Sequence, residues 1–238
     1  MKQPLEQVEH ICNRRIGVVL PSSNTVIEPL ASKMLYETGV TAHFSRLGVY
    51  DVALDSGSKA QFEQQRHLEA AMLLADANVS AIVWGGTSAS WLGASHDEDF
   101  CINVNTATGI PTTSCVLSMN SLLSDTAYQR LALLTPYTQD VHEQIIGNYE
   151  AAGHSCVSSA NLGGSISNDF ANISEHELES QIRQLARSKP DLIFIMCTNL
   201  RGARIASSLS DELGIRIVDS AAASIEAGLS LLDRQPAV

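Results

Sequence analysis

Arg15-Ile-Gly-Val-Val-Leu-Pro21-Ser-Ser-Asn24 decides the fold, because it returns later in the chain as Arg130-Leu-Ala-Leu-Leu-Thr-Pro136-Tyr-Thr-Gln139. In each copy an apolar run of strand length ends at a proline followed by small polar residues. The proline stops the strand, and the polar residues after it can cap the next helix. Two further blocks repeat in the same order. Val79-Ser-Ala-Ile-Val-Trp-Gly-Gly-Thr-Ser88 pairs with Pro190-Asp-Leu-Ile-Phe-Ile-Met-Cys-Thr-Asn199, and Thr108-Gly-Ile-Pro-Thr-Thr-Ser-Cys115 pairs with Leu213-Gly-Ile-Arg-Ile-Val-Asp-Ser220. The offset falls from 115 residues (15 to 130) to 111 (79 to 190) to 105 (108 to 213), as trimming of loops after a duplication would produce.

Helical patterns separate these strands. Residues 61–77 and 174–188 place apolar side chains at three-to-four spacing, and the second opens with the capping box Ser174-Glu-His-Glu177. Residues 138–152 read as a helix ended by Gly153, and 116–123 and 221–232 follow the third strand of each set. Strand alternating with helix gives βαβ units. The expected fold is α/β: two pseudo-twofold-related, flavodoxin-like halves, each a parallel sheet flanked by helices. The first half comprises residues 15–118 plus the C-terminal helix at about 221–238, the second 119–220.

Composition narrows the function. Of 238 residues 45% are hydrophobic and 17% charged, which excludes disorder. The net charge of −11 argues against a nucleic-acid partner, since there is no cation excess to displace phosphate counterions. No apolar run is long enough to span a membrane. The N-terminal residues MKQPLEQVEHICNRR lack the apolar core of a signal peptide, so a cytoplasmic location is expected, with Cys12, Cys101, Cys115, Cys156 and Cys197 reduced. No cysteine or histidine spacing suits zinc, so no metal is expected. No Gly-rich phosphate motif appears, so no nucleotide cofactor is expected either. Six histidines (His43, His67, His96, His142, His154, His176) read as solvated.

Ligands of parallel sheets bind at the carboxyl ends of the strands. Here those ends read Pro21-Ser-Ser-Asn24, Gly85-Gly-Thr-Ser88, Pro136-Tyr-Thr138 and Cys197-Thr-Asn199. All four offer hydroxyls, amides and free backbone N–H groups that hold anions. If the halves face each other, the four tips line one cleft suited to a small carboxylate. Cys197 stands just before a helix, where N–H donors can lower a thiol pKa. Tyr137 should reach the same cleft. Cys101 and Cys115 read as core fillers, Cys156 as the opening of a strand, and Arg201 and Arg204 as solvated helix residues.

At these residues the chain resembles the aspartate/glutamate racemase superfamily, in the branch of maleate cis-trans isomerases and arylmalonate decarboxylases. The resemblance runs from Arg15 to about Leu232. It implies two halves about a cleft, no cofactor, and a small carboxylic acid as substrate. Relatives occur as monomers and as dimers, so a homodimer remains open. In racemases and maleate isomerases each half carries a cysteine at its strand tip. The second falls on Cys197 and the first on Gly86. Decarboxylases resemble this chain in Gly86-Thr87-Ser88, in having a single second-half cysteine, and in the tyrosine matching Tyr137.

The implied site is Cys197 as catalytic residue, with Asn24, Gly86, Thr87, Ser88, Tyr137, Thr138, Thr198 and Asn199 binding substrate. The implied reaction is decarboxylation of a malonate-type acid, Cys197 protonating the enediolate. An isomerase of the maleate or racemase type is the alternative, and a non-catalytic carboxylate binder a further one. Thr198-Asn199 replace the glycines of the decarboxylases, and Asn24 resembles the maleate isomerase loop. Both differences point to a more polar pocket, suited to an aliphatic diacid.

Overall fold

The computed structural model describes residues 14–125 and 127–234. The first repeat forms β1 (Arg15–Pro21), α1 (Ile27–Met34), β2 (Thr41–Leu47), α2 (Ser56–Ala60), α3 (Gln64–Asp76), β3 (Ala81–Trp84), α4 (Ala89–Leu92), α5 (Ala94–Thr108), β4 (Thr112–Ser114) and α6 (Cys115–Leu122). The second forms β5 (Arg130–Thr135), α7 (Gln139–Ala151), β6 (Ser155–Asn161), a 3-10 turn at Ser167–Asn172, α8 (Glu175–Ala186), β7 (Leu192–Ile195), α9 (Ala203–Leu213), β8 (Arg216–Asp219) and α10 (Ser220–Asp233). The two sheets have the same order, β2-β1-β3-β4 and β6-β5-β7-β8, and all their pairings are parallel. The duplicated α/β architecture expected from the repeated blocks is therefore present.

Burial explains why some elements were legible in the sequence. Every residue of the inner strands β3 and β7 is buried, so both read as continuous apolar runs. The edge strands β2 (TAHFSRL) and β6 (SCVSSAN) are mostly half-exposed and carry little apolar signal. Cys156 stands second in β6, close to the strand opening expected of it. Helix α5 hides its period because one residue on its buried face is an aspartate: Asp97, Phe100 and Val104 face inward.

Half of the expected capping box forms: Glu177 N–H donates to Ser174 Oγ at 3.1 Å, while the Glu177 carboxylate accepts from Gln181. Gly153, two residues past α7, takes φ +90° as expected of a terminator. Helix α10 packs on α1, α6, β3 and β4. Gly228 permits that approach, because a Cβ there would lie 3.1 Å from the Ile16 side chain.

Three histidines depart from expectation, His96 by being largely buried with its Nε2 2.8 Å from the Phe62 carbonyl. His67 and His142 are buried rather than solvated. His67 faces inward from α3 with its ring edge-on to Trp84 (centroids 4.5 Å apart, interplanar 81°) and to Phe100. Its Nδ1 is 3.3 Å from the Glu63 carbonyl, and burial lowers its pKa to about 4, which keeps it neutral. His142 Nδ1 pairs with Thr135 Oγ1 at 2.9 Å. Cys115 is a core filler and Cys101 is half-buried, while Cys12 lies outside the described residues.

Candidate active site

One cavity gathers the strand tips of both halves. It is lined by Asn24 after β1, Gly86, Thr87 and Ser88 after β3, Tyr137 after β5, and Cys197, Thr198 and Asn199 after β7. Of the residues expected to bind substrate, only Thr138 lies outside this lining. It stands at the head of α7, bonded to the exposed Asp140. Arg201 and Arg204 are exposed, and Arg204 pairs with Glu175.

The polar tips form two sets of hydrogen bonds, one through Asn24, Thr198 and Asn199 and one through Thr87 and Tyr137. Asn24 Oδ1 accepts from the N–H groups of Val26 and Ile27, starting α1, while its Nδ2 donates across to Thr198 Oγ1 at 3.1 Å. Thr198 Oγ1 in turn donates to the Gly85 carbonyl at 3.0 Å. Asn199 accepts from Thr25 N–H at 3.0 Å and donates to the Ser167 carbonyl at 2.8 Å. These three side chains already have protein partners, so they stitch the halves together.

Thr87, Ser88 and Tyr137 are differently placed. Neither Ser88 nor Thr138, which stand at the heads of α4 and α7, makes a side-chain cap. The capping is done at β4 and β8 instead, where Ser114 accepts from Leu117 N–H and Asp219 from Ala222 N–H. Thr87 Oγ1 and the Tyr137 hydroxyl are 2.8 Å apart, and the same hydroxyl bonds the Cys197 sulfur. Burial raises the Tyr137 pKa well above the usual phenol range, so it stays a donor.

Cys197 corrects an expectation. Burial dominates and pushes its thiol up to about 12. The N–H groups of Asn199 and Leu200 and the Tyr137 hydroxyl pull downward without overcoming it. The resting group is a thiol, suited to giving a proton rather than attacking a carbon.

The rest of the lining was not foreseen. Phe62, Trp84 and Trp91 from the first half and Phe170 from the second form an aromatic wall, with Val49 and Val52 beside it. This wall is apolar, and the hydroxyls and amides of Asn24, Thr87, Ser88, Ser167, Thr198 and Asn199 line the same cavity. Only Trp84 lay inside a repeated block. Phe62 lies between α2 and α3, Trp91 in the one-turn helix α4 and Phe170 in the 3-10 turn, where a lone aromatic carries no local signal.

The cavity measures about 30 Å³. The irregular wall is a pair of loops joined by Val52 N–H to the Ser165 carbonyl and Ser167 N–H to the Tyr50 carbonyl, each at 2.9 Å. Tyr50 and Ile166, at the outer side of that seam, are exposed.

Asp219 lies behind Cys197, buried, with Oδ1 capping α10 and Oδ2 against Gly202, where a Cβ would come within 2.6 Å. Burial raises its pKa to about 7. Because the folded value exceeds the unfolded one, this contribution to stability is complete below about pH 4 and is lost as pH rises through 7. Asp219→Asn keeps the cap and should flatten that slope. Melting curves against pH should show the wild type losing up to about 4 kcal/mol relative to the variant between pH 4 and 8. Parallel curves for the two proteins would refute it.

With the tips, the thiol and the glycine opposite it in place, the relatives can be set beside them. The sequence profile of the arylmalonate decarboxylase family matches residues 16–238. The chain belongs to the arylmalonate decarboxylase family. A curated relative, the maleate isomerase of Nocardia farcinica (strain IFM 10152), is 24% identical over 235 residues, covering 94% of this chain and 92% of that one.

Two solved structures carry the fold likeness to the family. A liganded double mutant of arylmalonate decarboxylase superposes with a TM-score of 0.82 at 20% identity, covering 94% of each chain. A cysteine-to-serine mutant of the Nocardia farcinica maleate cis-trans isomerase, with a covalently bound succinylcysteine intermediate, gives 0.83 at 24% identity, covering 92% of this chain and 93% of that one. The chain is thus an enzyme of the arylmalonate decarboxylase and maleate isomerase type. No helix among the described residues is long and apolar enough to cross a membrane.

Proposed function

We propose that this enzyme decarboxylates a substituted malonate without a cofactor, with Cys197 as the proton donor. One observation carries the reading: Cys197 is the single thiol lining the cavity, and Gly86 occupies the matching tip of the other half. Racemisation by two bases needs a proton-transfer group on each face of the carbon, and an isomerisation begun by a first-half thiol needs that thiol. Protonation of one face needs neither.

The steps balance as follows. The bond from the α-carbon to one carboxylate breaks and CO₂ leaves, its electron pair passing to the α-carbon and the retained carboxylate as an enediolate. The hydroxyls of Thr87, Ser88 and Tyr137 hold that carboxylate, and donors already aimed at developing charge supply the largest stabilisation in such reactions. The departing carboxylate lies against the aromatic wall, where loss of its charge is favoured. Cys197 then gives its proton to the α-carbon and becomes a thiolate, which regains a proton from water once the product leaves. The net reaction consumes one proton and, from a malonate with two different substituents, yields one enantiomer of the monoacid.

Phe62, Trp84, Trp91 and Phe170 limit the substituent to one that fits a small, flat, apolar space. A panel of monosubstituted and disubstituted malonates assayed for CO₂ release tests the reading, alongside maleate assayed for fumarate. CO₂ release with an enantiopure product is expected. Conversion of maleate with no malonate turned over would overturn it in favour of the isomerase.

A further inference from the structure

Nothing in the backbone obliges position 86 to be glycine, because Gly86 does not take a positive φ. The constraint comes from a side chain two residues back. A Cβ at Gly86 would stand 2.3 Å from Trp84 Cζ2, 2.5 Å from Cε2 and 2.9 Å from Cη2, inside van der Waals contact on three ring atoms.

The indole cannot simply swing away. Trp84 is fully buried, packed edge-on to His67 and to Phe62 (centroids 6.5 Å apart, interplanar 72°), and its Nε1–H donates to Ser88 Oγ at 3.2 Å. That last bond has a second effect. A hydroxyl that accepts from the indole keeps its own proton free, and the Ser88 proton is then available to the cavity.

We propose that Trp84 is the specificity-determining residue of this cavity: its indole fills the space of any side chain at position 86, keeping the face opposite Cys197 without a proton-transfer group, and its N–H turns the Ser88 hydroxyl proton toward the ligand. The consequence for stereochemistry rests on the decarboxylase reading, while the steric claim does not. An aromatic ring in place of a second thiol makes proton delivery one-sided by volume as well as by chemistry.

A double-mutant cycle tests the steric claim without any substrate. Gly86→Ala and Gly86→Cys in the wild-type background should each lower the melting temperature by about 3–10 °C, the usual range for an overpacked core. In a Trp84→Leu background the same changes should cost little, and Trp84→Met replaces that background if the leucine variant fails to fold. Equal losses in both backgrounds, or no loss in the wild type, overturn the claim.

The stereochemical consequence is read in D₂O with the product acid. Given the antipode of that acid, combined Trp84→Leu and Gly86→Cys should exchange the α-hydrogen and erode enantiomeric purity, the introduced sulfur taking the proton as a thiolate while the Cys197 thiol delivers a deuteron to the other face. The double variant keeping wild-type enantiopurity, with no exchange, overturns the assignment of the two faces.

The positioning claim is read on kinetics. Trp84→Phe should lower kcat about fivefold to tenfold with KM little changed, as loss of one oriented donor predicts, and that effect should vanish in a Ser88→Ala background. A drop of the same size without Ser88 overturns it. If no malonate is turned over at all, the melting cycle still decides the role of Trp84, so the two readings fail separately.

Discussion

Replacing Cys197 by serine is expected to lower kcat by about 10²–10⁴-fold, the usual contribution of a general acid, with the melting temperature within about 4 °C of wild type. Serine nearly matches the volume and can use the same partners, the Asn199 and Leu200 N–H groups and the Tyr137 hydroxyl. Its hydroxyl is far too weak an acid to quench an enediolate quickly. Substrate should still bind, because Thr87, Ser88 and Tyr137 are untouched, so the loss should fall on kcat rather than KM.

The pH profile adds a sharper reading of the same residue. Burial holds the thiol at about 12. Cys197 therefore stays protonated between about pH 6 and pH 10, and should impose no alkaline limb on kcat below about pH 11. An alkaline limb near pH 8 that disappears in the serine variant would contradict this picture of a desolvated thiol.

Tyr137→Phe should be nearly as damaging, lowering kcat by about 10²–10³-fold, the range for loss of one oxyanion donor. The phenol sits where three groups meet: Thr87 Oγ1 at 2.8 Å, the Cys197 sulfur, and the cavity. Removing it takes a donor from the enediolate and another from the thiolate formed after protonation. The tyrosine hydroxyl pulls the Cys197 pKa down, so its loss should push the thiol higher still. Alkylation of Cys197 by iodoacetamide should therefore be slower in the variant at every pH. Thr87 loses its partner as well, and a stability cost of about 1 kcal/mol follows. Wild-type kcat with unchanged alkylation would remove Tyr137 from the machinery.

Much of this site could be read before the fold was known. Repetition of an apolar run, a stop and small polar residues at Pro21, Gly85-Gly86, Pro136 and Cys197 located the tips, since a parallel sheet gathers such ends on one side. The edge strand β2 and helix α5 were not read, and β6 only by its opening at Cys156, because half-exposed strands and a helix with a buried aspartate blur the periodicity on which such reading depends. His67 and His142 read as solvated from residue type alone, yet each sits on the buried face of its helix.

What the sequence by itself determined was the duplication, the parallel α/β character of both halves, and the asymmetry of Cys197 against Gly86, since these depend on short-range patterns and on which residue stands at a matched position. Only the tertiary structure decided three further things. It showed that Thr198 and Asn199 tie the halves together through hydrogen bonds to Asn24, Gly85, Thr25 and Ser167. It brought Phe62, Trp91 and Phe170, scattered along the chain, into one wall with Trp84. And it set Cys197 as a thiol, because the balance between desolvation and hydrogen bonding at a sulfur depends on everything packed around it, not on its neighbours in sequence.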